Sequence, residues 1–111
     1  MKKFSIRSAE RELAEDRQRI DSIRQAIDNA LRSFEFEHDN FKKRVSEITL
    51  RAALLAGNDT GEQIDREPAD SRLLNDYDGQ IRDAETRLNK LSELVAHLKF
   101  IRATVTTRLG D

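Results

Sequence analysis

The residues with most capacity for chemistry are two histidines and their neighbouring carboxylates. Glu35-Phe36-Glu37-His38 carries a Glu-x-x-His spacing, which in carboxylate-bridged di-metal bundles sets a carboxylate and an imidazole on one helix face. Glu93 precedes His97 by one helical turn and offers a second such pairing. In the helix register derived below, His38 lies opposite about residue 87 and His97 opposite about residue 28, so the sites are about 15 Å apart along the axis. One metal ion cannot use both. A symmetric dimer could bring copies together, but a second Glu-x-x-His is missing. The expectation is therefore no metal and no cofactor, with His38 a seam-edge side chain paired with nearby acids.

Other catalytic signatures are weaker. Gly57 and Gly61 are not followed by the Lys-Ser or Lys-Thr of a phosphate-binding loop. The chain has no Cys, which removes thiol nucleophiles, disulfides and Cys-ligated zinc. Serines and threonines are plentiful, yet an activated hydroxyl needs a base held in a concave site, and paired helices offer grooves instead. The expectation is a protein that is not an enzyme.

Basic residues offer a second kind of chemistry. Lys42-Lys43-Arg44 with Arg51, and Arg7, Arg11, Arg17, Arg19 and Arg24, all lie on the first half of the chain. Phosphate recognition needs such groups on a face with few acids, because binding draws on released counterions. Here Glu10, Glu12, Glu15, Asp16 and Asp21 interrupt them. The formal net charge is −1, so no global field draws polyanions or anionic lipid. A nucleic-acid-associated coiled coil using these basic residues is the alternative reading, behind that of a charged solvated face.

These side chains are positioned by helices. Ile6, Leu13, Ile20, Ile27, Phe34, Phe41, Ile48 and Leu55 form a column at seven-residue intervals, which stays on one side of a helix that winds around a partner. Ala9, Ile23 and Ala30, three past a column member, are its companions early in the helix. Further on they are Leu31, Val45 and Ala52, four past one. A second seam runs through Leu74, Tyr77, Ile81, Ala84, Leu88, Leu91, Val95, Leu98, Val105 and Leu109. Between the seams, residues 57–68 collect two of the four glycines and the only proline.

The fold class expected is all-α: a two-helix antiparallel coiled-coil hairpin that pairs into a dimeric four-helix bundle. A single hairpin domain spans 1–111, with a helix at 5–56, a loop at 57–67 and a helix at 68–109. Gly57, or else Asn58, would end the first helix in the left-handed conformation. Pro68 would sit in the first turn of the second, and Gly110 would stop it. Facing positions have numbers summing to about 125, as in an antiparallel pair folded at this bend. That sets Phe41 against Ala84 and Phe34 against Leu91. Acid-before-base pairs four apart, including Asp28 to Arg32 and Asp83 to Arg87, would support the helices individually.

With 37% charged and 37% apolar residues, the chain has the balance of long solvated helices. Neither a signal peptide nor a membrane-spanning run is visible, so a cytoplasmic protein is expected.

Several apolar residues fall outside a two-helix seam: Phe36, Leu50, Leu54, Leu73, Leu94, Phe100 and Ile101. The longer first helix would also leave Phe4, Ile6 and Leu13 beyond the second. The expected partner-binding residues are Phe4, Ile6, Leu13, Phe36, Leu50, Leu94, Phe100 and Ile101, acting on a second copy or another helical protein. The functional expectation is an adaptor, spacer or chaperone-like assembly subunit. In outline the hairpin resembles those that serve as stalks and chaperones in bacterial secretion and flagellar export, a likeness of architecture alone.

Overall fold

The structure, a computed structural model, describes residues 2–57 and 68–110, with side chains for 8–57 and 69–110. It is an all-α, two-helix antiparallel coiled-coil hairpin, with α1 at Lys2–Gly57 and α2 at Pro68–Leu109. α1 begins three residues earlier than the sequence pattern suggests, because nothing in Lys2–Ser5 breaks a helix. Pro68 opens α2, where its missing N–H would have had no intrahelical partner. Asp70 in the first turn and Arg108 in the last complement the helix dipole. The connector from Asn58 to Glu67 lies outside the described residues, and so does the expected role of Asn58.

The two glycine stops behave differently. Gly57 is the last residue of α1, and its backbone does not enter the left-handed region, contrary to the expectation for a helix-ending glycine. Gly110 does enter it, with φ of 82°, and its N–H donates to the Thr106 carbonyl at 3.0 Å. That bond satisfies one of the carbonyls orphaned at the end of α2.

The chain divides into two compact units, one of residues 1–33 with 95–111 and the other of residues 34–94. In the first, Ile27 and Leu31 are buried, and Ile20, Ala30, Val95, Leu98 and Val105 are half-buried. In the second, Ile48, Ala84 and Leu91 are buried, Leu91 completely. Phe34, Phe41, Val45, Tyr77, Ile81 and Leu88 are half-buried around them. Each unit is held by the column on α1 and the seam on α2, which gain apolar burial that neither helix could supply alone.

The companions of the column are the main correction. The residues four past it, Leu31, Val45 and Ala52, are buried or half-buried, and Arg24 at the same position is half-buried too. Of those three past it, Ala9 and Ile23 are exposed and Ala30 is half-buried. The four-past positions therefore line the seam from Arg24 onward, with Ala30 flanking it on the other side of the column. An arginine at that position hides the pattern in the sequence, because its long apolar stem can line a seam while its head is charged.

In the unit of residues 34–94 the expected register agrees with the residues that meet across the helices. Phe41 and Ala84 line one common depression of about 360 Å³ with Ile48 and Arg87. The large and small side chains are thus neighbours, although they leave open space between the helices instead of filling it.

Candidate functional site

No His–carboxylate pair assembles at either proposed ligand spacing. His38 is half-buried, and its Nδ1 lies 3.6 Å from the Asp39 carboxylate, its chain neighbour. That distance is longer than a hydrogen bond. Glu35 is exposed. On α2, Glu93 lies 4.0 Å from Lys90 Nζ, and His97 is exposed. Among the described residues, no three His, Asp or Glu side chains converge as a metal site would require.

Two of the basic residues of α1 contact acids on their own helix. Arg19 contacts Asp16 at 3.3 Å and Arg24 contacts Asp21 at 3.4 Å. The Nε and Nη2 atoms of Arg24 are buried with no hydrogen-bond partner. Lys42 and Lys43 stand exposed beside Asp39, Ser46 and Glu47 around an open depression. The mixed signs weaken any phosphate-binding role, as charge interleaving in the sequence suggests.

Two ion pairs cross between helices where the sequence pattern suggests pairs within them. Arg87 Nε donates to Glu37 Oε2 at 2.8 Å in the second unit. In the first, Arg102 reaches both carboxylate oxygens of Asp28, at 2.5 and 3.5 Å. Asp28 and Arg87 were the expected partners of Arg32 and Asp83; Arg32 donates instead to the Asn29 side chain. For the first pair the missed signal is the register itself, since Glu37 and Arg87 have numbers summing to 124; Asp28 and Arg102 sum to 130 and are not set opposite by it. The hydrogen bond from Arg87 holds the Glu37 carboxyl below its ordinary value, partial burial opposes this, and the arginine charge reinforces it. The same bond raises Arg87.

What remains is apolar surface. Phe36 is 70% exposed and Phe100 73%, with Leu50, Leu54, Leu73 and Ile101 also exposed. Leu94 is half-buried, so it is less available than its place outside the seam suggests. Phe4 and Ile6 lie outside the residues whose side chains are described. Leu13 is 64% exposed, but it lines a depression with Ile20 and Leu109. It therefore has a neighbour on α2, where the expectation was an unpartnered overhang. Ile23 and Leu109 are exposed although the sequence pattern assigns them to the seam.

The exposed groups fall on different sides of the helices. On α1 of the second unit, Phe36 and Leu50 stand two past a column member and Leu54 one before one. That places them on the side of the helix away from the seam. In the first unit, Ile23 and Ile101 stand three past a seam position and flank the seam. No protein-family model, curated protein or solved structure matches this chain. Among the described residues, no helix is long and apolar enough to cross a membrane.

Proposed function

We propose that this chain is a non-enzymatic helical-hairpin module that acts by protein–protein association, as an adaptor, spacer or chaperone-like subunit. Self-association into a four-helix bundle is its first expected partnership, and the cytoplasm its expected compartment. The observation that carries the reading is the balance of apolar residues. Among the described residues nine large apolar side chains are exposed and five apolar residues are buried, whereas isolated exposed apolar residues on a closed core would need no explanation.

The same surface supports recognition of another helix laid along a groove, with Phe36, Leu50, Phe100 and Ile101 as anchors. The basic residues favour this reading over nucleic-acid association, because Arg19 and Arg24 already lie against Asp16 and Asp21.

The test is a capture experiment from the source cell with the full chain, alongside Phe36→Glu and Phe100→Glu variants of unchanged helicity. The expected result is a discrete set of proteins that the native chain retains and at least one variant loses. Identical sets from all three chains would contradict the reading.

A further inference from the structure

Arginines stand at seam positions in one unit and not in the other. In α2 the residues three before Tyr77, Ala84, Leu91 and Leu98 are Leu74, Ile81, Leu88 and Val95, whereas the residue three before Val105 is Arg102. In α1 the residues four past Ile27, Phe41 and Ile48 are Leu31, Val45 and Ala52, whereas four past Leu13 and Ile20 stand Arg17 and Arg24. All three arginines belong to the unit of residues 1–33 and 95–111. In the unit of residues 34–94 the same positions are apolar, His38 excepted.

The arginines meet this placement differently. Arg17 is exposed, beside the open depression lined by Leu13, Ile20 and Leu109. The Arg102 side chain is 52% exposed, and its guanidinium leaves the seam to donate to Asp28. Arg24 stays inside. Its side chain is 19% exposed, and only Nη1 finds an acid, Asp21 at 3.4 Å. Nε and Nη2 are buried and, among the described residues, have no hydrogen-bond partner. Asp28, one turn further along the same face of α1, already accepts from Arg102.

We infer that this unit is a built-in opening element: its seam over residues 20–31 and 95–105 parts under native conditions while that of residues 34–94 stays closed, and Arg24 drives the parting. This opening goes beyond the association proposed above and does not depend on it.

The reason is a difference between closed and open states at one side chain. In the closed unit the guanidinium of Arg24 has given up water at Nε and Nη2 and gained no acceptor there, which is the costly way to bury a charged donor. In the open unit water reaches all of its donors. Apolar burial opposes the parting, and here it is modest, with Ile27 and Leu31 buried and Ile20, Val95, Leu98 and Val105 half-buried. The other unit carries no such cost on its cross-helix arginine, since Arg87 donates to Glu37 at 2.8 Å, and its Leu91 is completely buried. A stretch with few buried apolar groups and an uncompensated polar one is the stretch from which local opening is drawn. The parted form exposes Ile27, Leu31, Val95 and Leu98, so the chain presents a different apolar surface in each of its two states.

The test is amide hydrogen exchange of the full chain, read residue by residue with helicity recorded. In the native chain, amides of residues 24–31 and 95–102 are expected to exchange about tenfold faster or more than those of 41–48 and 84–91. Nearness to the chain ends could produce that alone, so the decisive variant is Arg24→Leu. Leucine removes the stranded donors and adds apolar burial at the same seam position. It is expected to slow exchange about tenfold or more over residues 24–31 and, across the seam, over 95–102, leaving 41–48 and 84–91 unchanged. Arg19→Leu makes the same chemical change on the same helix at a side chain that is 74% exposed, and is expected to alter neither set. Equal exchange in the two units of the native chain would overturn the inference. So would unchanged or faster exchange at 95–102 in Arg24→Leu, or an equal slowing there in Arg19→Leu.

Discussion

The two units bury the same kind of seam and differ in what they do with its flank. In the unit of residues 34–94, the positions three past the seam carry Glu37 and Arg87, whose hydrogen bond closes that side. Its surplus apolar groups, Phe36, Leu50 and Leu54, lie away from the seam. In the unit of residues 1–33 and 95–111, the ion pair of Asp28 and Arg102 crosses one flank, and Ile23 and Ile101 stand exposed on the other. The same kind of seam thus carries its cross-helix ion pair on a different flank in each unit.

The largest effect that could break this comparison lies at the seam centres. Leu91 is completely buried and Ile27 is 9% exposed, so Leu91→Ala should cost about 2–5 kcal/mol in chemical denaturation and Ile27→Ala less. A cost below about 1 kcal/mol at Leu91 would mean that the unit is not packed around it.

The glycines give a smaller contrast with opposite signs. A methyl group at Gly79 meets open space within the interior of α2, so Gly79→Ala should stabilise by about 0.5–1 kcal/mol. At Gly110 the left-handed backbone makes the same change unfavourable by about 1 kcal/mol or less, since the site is terminal. Thermal midpoints moving in the same direction for both variants would contradict that assignment.

The smallest effect concerns pH. Glu37 is held below its ordinary value of 4.5 by Arg87, so its contribution to stability is present above that value and lost as pH falls through the lowered one. Raising Arg87 keeps its charge throughout this range. Glu37→Gln should therefore lose less stability than the native chain between neutral and strongly acidic solution, measured by urea denaturation at each pH. Equal losses would show that the bond contributes nothing in solution.

Much of the hairpin was legible because its signals are periodic or strongly local. The column from Ile20 to Ile48, the proline opening α2 and Gly110 closing it each reflect one physical constraint. The register followed from the bend, and Phe41 beside Ala84 agrees with it. The companions of the column were harder to read. Ile23 looks like a core residue and Arg24 does not, yet the helix turns Arg24 inward and Ile23 outward. The ion pairs were misread for a related reason: Asp28 with Arg32 and Asp83 with Arg87 have favourable spacing on one helix, but the neighbouring helix supplies closer partners. Side chains flanking the seam are settled by a few tens of degrees of rotation, which a seven-residue pattern does not resolve.

Sedimentation equilibrium of the unmodified full-length chain, over a wide concentration range with helicity recorded at each point, tests most directly whether its surplus apolar surface serves association. The account predicts a species of twice 12.8 kDa that dissociates, with loss of helicity or without it, only on dilution. A fully helical species of 12.8 kDa at every concentration would contradict it.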